Sequence, residues 1–411
     1  MSSIFALGLV LLRPSGAEAQ SGTWAMLGAQ AVAAWEWADP VPGGGSLDEI
    51  RVVQPAIHLH AGALGHLRLM AMLNLEGLTI PEGELAPGDW GEGFVDRRHP
   101  HTYAHELMLT GDDLLGRADG EARASLSIGK GFAPFGTDDP MVRPFVRYPV
   151  NHHLSQILER AVAIAAVRVR HVVGEVGIFD GDEPERPGQW PRLGGRFGDS
   201  WSARLTLLPI EGMELQGSHA KVHSPEHRPG AGTDQSKWSL SARWSGAMDG
   251  SPLYALLEWA RTSEAGGFFI FHTVLAEGAW RRGRHRLQYR VERTERPEEE
   301  RIAAFRSRRP HLENSILGIS RWTVQTVGYQ VDALQTGWLG VRPLAEISYG
   351  SIAKVGGGLF DVDQRYGNSS FWSLTIGMRL ELGHPLPRMG RYGALEDRGA
   401  MTDHMHGGHP E

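Results

Sequence analysis

The sequence contains no cysteine, which excludes a disulfide framework, a thiolate metal site and a cysteine nucleophile. It also lacks a bilayer-length apolar run. Its one apolar stretch, Ile4 to Leu12, is about nine residues against the roughly twenty that a spanning helix needs. Hydrophobic residues make up only 41% of the chain and mean hydropathy is -0.27. Positive charge is not in excess either: 41 Lys+Arg stand against 48 Asp+Glu, a net charge of -7. An acidic chain is a poor partner for a phosphate backbone, so nucleic acid is not expected. There is no G-x-S-x-G elbow, Walker A loop, dinucleotide fingerprint or helical H-E-x-x-H, so neither an enzymatic site nor a required cofactor is expected. A chain of this kind can cross a membrane only with strands closed into a barrel.

Glycine and tryptophan are plentiful, at 53 and 13 residues, and alternation is where the sequence is most informative. A transmembrane strand shows lipid one face and water the other, with period two. Trp372, Leu374, Ile376, Met378, Leu380 and Leu382 alternate without error with Ser373, Thr375, Gly377, Arg379 and Glu381. Trp238, Leu240, Ala242 and Trp244 alternate with Lys237, Ser239, Ser241 and Arg243, an apolar face with an aromatic at each end that suits two interfacial girdles. The segments at Trp201 to Leu207 and Arg286 to Glu292 behave in the same way. Near Leu67 to Leu75 the pattern is blurred, because Met70 and Met72 fall on the otherwise polar face. A soluble β-sandwich is the alternative, but its strands are usually about five or six residues long, and these run nearer ten.

The connections alternate too, as expected where short periplasmic turns face longer outer loops. Read backwards, 351–369 is long, 332–337 short, 294–315 long and 279–283 short. The connection at 263–267 breaks the rule, and 248–250, 224–235, 209–212 and 180–200 restore it. Nine strands from Trp201 onward and seven before it predict an all-β, antiparallel transmembrane barrel of about sixteen strands (fourteen to eighteen).

The ends complete the division. Ile4 to Leu12 followed by Ala17-Glu18-Ala19 reads as a secretory signal with an A-x-A site, although Met1-Ser2-Ser3 supplies no basic residue. The expected parts are a cleaved signal at 1–19, a barrel in outer-membrane lipid at 20–383 and a flexible His/Met-rich periplasmic tail at 384–411.

The run Gly129-Lys130-Gly131-Phe132-Ala133-Pro134-Phe135-Gly136 resembles a strand-end motif of the phosphate-selective porin family. The resemblance covers well under a tenth of the chain. It implies that the loop after the fifth strand folds inward and narrows a pore, with a solvated surface loop as the alternative. The candidates for that constriction are Asp138, Asp139, Arg143, Arg147, His152 and His153. Inward-facing Arg68, Arg204, Arg243, Arg286, Arg290 and Arg379 outnumber Glu76, Glu292 and Glu381 on the strands above, which predicts a weak preference for anions.

Two histidine groups offer metal ligands. His99, His101 and His105 lie in the run Asp96 to Glu106, similar to a motif of envelope proteins. They suit a divalent ion only if the loop folds back on itself, and the alternative is a polar motif that anchors a loop inside the barrel. Met401, His404, Met405, His406 and His409 resemble the His/Met-rich tails of copper-handling envelope proteins, a ligand set that suits copper and tolerates other divalent metals. The expected function is a porin-like channel for small polar solutes. A copper-handling barrel and a structural barrel plugged by its own loops are the alternatives.

Overall fold

In the computed structural model the structure describes residues 23–41, 45–79, 102–116, 121–184, 187–191, 195–225, 230, 232–299 and 316–395. The strands run β1 (Trp24–Asp39), β2 (Leu47–Ala63), β3 (Leu67–Asn74), β4 (Ala104–Gly116), β5 (Ala122–Gly131) and β6 (Arg160–Val169). They continue through β7 (Val172–Phe179), β8 (Ser200–Leu207), β9 (Met213–Val222), β10 (Gln235–Met248), β11 (Ser251–Glu264) and β12 (Phe269–Arg282). The last are β13 (His285–Glu299), β14 (Ile316–Val331), β15 (Leu334–Gln335), β16 (Leu339–Gly358) and β17 (Ser370–Gly383). Each pairs antiparallel with its sequence neighbour, and β1 pairs with β17 from Gly28↔Gly383 to Asp39↔Trp372. β15 is a two-residue piece inside the β14 to β16 connection. Sixteen strands therefore close the barrel, as the alternation predicts.

The pleat explains which side chains face out. Ile376 and Leu240 are 50% and 57% exposed, while their neighbours Thr375 and Ser239 are at 2%. In a barrel, an exposed apolar band of this kind is the lipid face. Trp201, Trp238, Trp372 and Tyr349 mark one edge of the band, with His219 stacked on Trp238 at 3.9 Å and edge-on to Trp201 at 5.4 Å. Tyr289, Tyr329 and Trp338 lie toward the other.

Turn chemistry sets the two rims. Asp249 and Gly250 both have positive φ, 51° and 73°, the backbone of a two-residue hairpin whose twist matches its strands. That turn and the other short connections share one rim, periplasmic in barrels of this kind, with the start of β1 and the end of β17. The longer connections share the opposite rim, and the irregularity predicted at 263–267 is present as a short turn over 265–268 on the long-loop side.

The interior is filled by the chain itself. The connection 132–159 folds into the lumen, and so do residues 384–395 after the last strand. The expectation of a flexible periplasmic tail from residue 384 is therefore corrected over 384–395. Met389, Tyr392 and Ala394 are buried and Leu386 packs against the cluster of Ala56, Met72, Phe132, Met141, Tyr148 and Met389. Residues 1–22, with the predicted signal, and 396–411 lie outside the described residues.

Candidate functional site

The inserted connection begins at a backbone only glycine accepts. Gly136 has φ +65°, and an added Cβ would overlap the carbonyl oxygen of Ser155 on the returning limb. Beyond it, Asp139 Oδ1 accepts the Met141 N–H at 2.7 Å and opens a single 3-10 turn, while Oδ2 accepts from Gln156 Nε2 at 3.1 Å. A second turn spans His152–Ser155. His152 is buried edge-on against Tyr148 and His153, and the His153 carbonyl accepts from Lys237 Nζ at 2.6 Å.

The opposite wall then receives the loop with carboxylates. Glu346 accepts the Val146 and Arg147 N–H groups at 2.8 and 3.2 Å, and Glu292 accepts that of Val150 at 2.9 Å. Glu258 takes Thr137 and Ser155 hydroxyls at 2.6 and 2.7 Å, and Arg143 at 3.1 Å. Arg290 donates to the Arg147 carbonyl at 2.7 Å, stands over the Phe145 ring at 4.2 Å and pairs with Glu277 at 2.8 Å. Arg147 also reaches the Ser373 hydroxyl. β2 helps from the side: Gln54, with φ 53°, turns inward and donates to the Val146 carbonyl at 3.0 Å. Buried backbone donors and acceptors of a connection need partners, and here strand side chains from around the lumen supply them.

The C-terminal segment meets the other face of this loop. Arg388 donates to Asp138 at 2.7 Å and also pairs with Glu214. Arg391 lies 3.6 Å from Asp138 and 3.8 Å from Glu214. Asp138 additionally pairs with Arg243 at 2.9 Å. Burial alone would push the Asp138 carboxyl up, but Arg388, Arg243 and Arg391 hold it well below the ordinary carboxylate range. Farther along, the Tyr392 hydroxyl donates to Glu106 and accepts the Phe132 N–H at 3.1 Å. The Gly390 carbonyl accepts from Arg204, and the Ala394 N–H donates to Ser125 at 2.9 Å.

Between loop and segment lies a cavity of about 360 Å³ whose wall carries Arg143, Arg243, Arg281, Arg286, Arg342 and Arg379, with Glu381 as the one lining carboxylate among the described residues. Arg342 is answered by Glu381 and Asp332 at 2.6 and 2.8 Å. Arg379 donates to Gln54 at 3.1 Å. Among the described residues, no carboxylate lies within 4.0 Å of Arg286 or Arg379.

Structural comparison places this architecture. An anion-selective porin from Comamonas acidovorans superimposes with a TM-score of 0.51 at 11% identity, over 88% of this chain and 100% of that one. OprB of Pseudomonas putida gives 0.54 at 12% identity, over 88% and 94%. The fold is that of a porin. No protein-family model matches the sequence, and a search of curated proteins returns no match.

Within this porin-like barrel, all six loop candidates lie inside the lumen, and most of their charge is engaged in docking the loop. Of the six lumen arginines, Arg68, Arg204, Arg243 and Arg290 are paired to Asp112, Glu175, Asp138 and Glu277, which leaves Arg286 and Arg379 as the net positive pair. His105 is buried at a bulge of β4, 3.4 Å from Glu159 and edge-on to Phe132. With Glu106 bound to the C-terminal segment, this part of the histidine motif anchors inserted chain. His99, His101, Met401, His404, Met405, His406 and His409 lie outside the described residues. Among the described residues no group of three metal-ligating side chains converges.

Glu214, Arg342, Arg388 and Arg391 were not legible as site residues. A usable signal was present in Met70, Met72 and Met108, apolar side chains in the lumen register of β3 and β4. Met72 packs with Met141 and Met389, and Met70 and Met108 with Phe135 and Tyr392, which is what an apolar residue on a lumen face implies when something lies against it.

Proposed function

We propose that the protein is an outer-membrane channel for small polar solutes with a preference for anions. The observation that carries this reading is the cavity under the inserted loop, where two guanidinium groups without carboxylate partners stand among four others. At an effective dielectric of about 20, one such charge about 6 Å from a monovalent anion contributes on the order of 2 to 3 kcal/mol before screening. Confinement between low-dielectric walls keeps that screening incomplete. Arg68, Arg204, Arg243 and Arg290 are neutralised by carboxylates, and Glu292 and Glu346 are occupied by loop N–H groups, so the preference is set locally, beside Met141 to Pro144 of the inserted loop.

Solute flux into proteoliposomes tests the proposal. Small carboxylated sugars should enter faster than neutral sugars of equal size, and Arg286→Ser should narrow the difference. Liposomes that admit neither would mark the barrel as structural, with no transport role.

A further inference from the structure

The segment after the last strand is attached differently from every strand. β17 completes the barrel by pairing with β1 up to Gly383. Beyond that point, the backbone bond to the wall found among the described residues is that from the His384 N–H to the Leu27 carbonyl, 3.1 Å. Residues 385–395 are held by side chains instead. Their two arginines meet two carboxylates, Asp138 of the loop and Glu214 of β9. Tyr392 meets a third, Glu106 of β4. Gly390 and Gly393 take φ of +68° and +59°, and at Gly393 an added Cβ would overlap Ser125 Oγ. The segment is thus shaped to its seat and matched to it in charge, yet it contributes nothing to the closure of the sheet.

We propose that Asp138, Glu214 and Glu106 form a binding site in the lumen for a guanidinium-bearing peptide segment, and that residues 384–395 are its resident ligand, a tethered plug that leaves the site without unfolding the barrel. Pro385 and Leu386 of the plug line the arginine cavity, so its departure enlarges the passage. It also exposes Asp138 and Glu214, leaving Arg243 as their nearest remaining cation, with pairs at 2.9 and 3.9 Å. The undocked channel is therefore wider and less anion-preferring. The inference rests on the channel reading for its consequence, while the docking itself is tested without ion flow.

The absence of cysteine makes a single engineered thiol a clean reporter. Thr110 is buried, and its methyl lies 3.3 Å from the Cβ position of Gly393, so Thr110→Cys sits under the plug. In full-length protein in outer-membrane vesicles, a hydrophilic thiol reagent should label this cysteine slowly. Adding Arg388→Gln with Arg391→Gln should speed labelling by at least about tenfold, because Arg388 alone gives up charge-assisted bonds to both Asp138 and Glu214 and one such bond already corresponds to that factor. A synthetic peptide of residues 384–395 should slow it again, and the same peptide with both arginines replaced should not. Where the double variant fails to assemble, Tyr392→Phe, which removes one hydroxyl and keeps the ring, should accelerate labelling in the same direction. Equal labelling rates in folded barrels with and without these changes, or indifference to the peptide, would show the segment to be a fixed part of the wall and overturn the proposal. If labelling responds but conductance does not, the plug stands and the channel reading fails.

Discussion

Arg388 donates to Asp138 at 2.7 Å across 250 residues of sequence, joining the segment that follows the last strand to the loop that follows the fifth. The carboxylate belongs to the inserted loop and the guanidinium to the plug, so each inserted element holds the other. Asp138 faces Arg388, Arg391 and Arg243, with Glu214 beside them.

The pH dependence of this contact has a definite sign. A carboxyl whose value is depressed on docking stabilises the docked state above its ordinary range, near 3.9, and that contribution is lost as pH falls through the depressed value. Asp138 lies well below the ordinary range. Labelling of Thr110→Cys, corrected for the reactivity of the thiol itself, should therefore stay flat from about pH 8 to pH 5. Asp138→Asn should accelerate it across that whole range. A rise in accessibility between pH 7 and pH 5 in the wild type would show that another group controls docking.

The facing of the last strand gives a second test. Ile376 is half exposed on the lipid side, and Ile376→Arg should cost about 2 to 4 kcal/mol near mid-bilayer. Arg379 is buried under the inserted chain and donates to Gln54, so Arg379→Leu should cost much less, because the loss of one charge-assisted hydrogen bond is offset by removing a buried guanidinium that has no carboxylate partner. Urea unfolding of the barrel in bilayers, followed by tryptophan fluorescence, compares the two. Equal costs would contradict the assigned faces.

Gly136 tests the seating of the loop. At φ +65° and against the Ser155 carbonyl, Gly136→Ala should destabilise by at least about 1 to 2 kcal/mol from backbone conformation alone. Gly188, where an added Cβ meets nothing, should accept alanine with little effect. Thermal release of the folded form during electrophoresis is a sufficient readout.

Copper binding by the tail is an expectation from the sequence alone. Full-length protein should bind Cu²⁺ through the histidines of 404–409, more weakly below about pH 6 as imidazoles protonate. His404→Ala with His406→Ala should remove most of that affinity. Isothermal titration that shows the double variant binding as the wild type does would remove the tail from consideration.

The barrel was legible because its cause is local. Period-two alternation in Trp372 to Leu382 or Trp238 to Trp244 needs no tertiary information, and turn residues such as Asp249-Gly250 mark where each strand reverses. For the loop after the fifth strand, the resemblance at Gly129 to Gly136 left an inward and a surface course open, and the structure shows the inward one, where Gly136 answers a real steric demand. What fills the lumen was not legible, because charge pairing across 250 residues leaves no periodic trace. The lumen arginines illustrate this: Arg204 and Arg286 look alike in sequence, yet Arg204 is neutralised by Glu175 on the neighbouring strand and Arg286 has no such partner. The methionines on β3 looked like noise in the alternation, and they mark where loop and plug pack.

The zero-current potential of reconstituted protein across a tenfold KCl gradient tests the central claim most directly. The arginine cavity predicts a potential displaced toward the chloride equilibrium value, moving toward zero in Arg286→Ser and further in Arg286→Ser with Arg379→Ser. A wild-type potential on the potassium side, or one that these two substitutions leave unchanged, would contradict it.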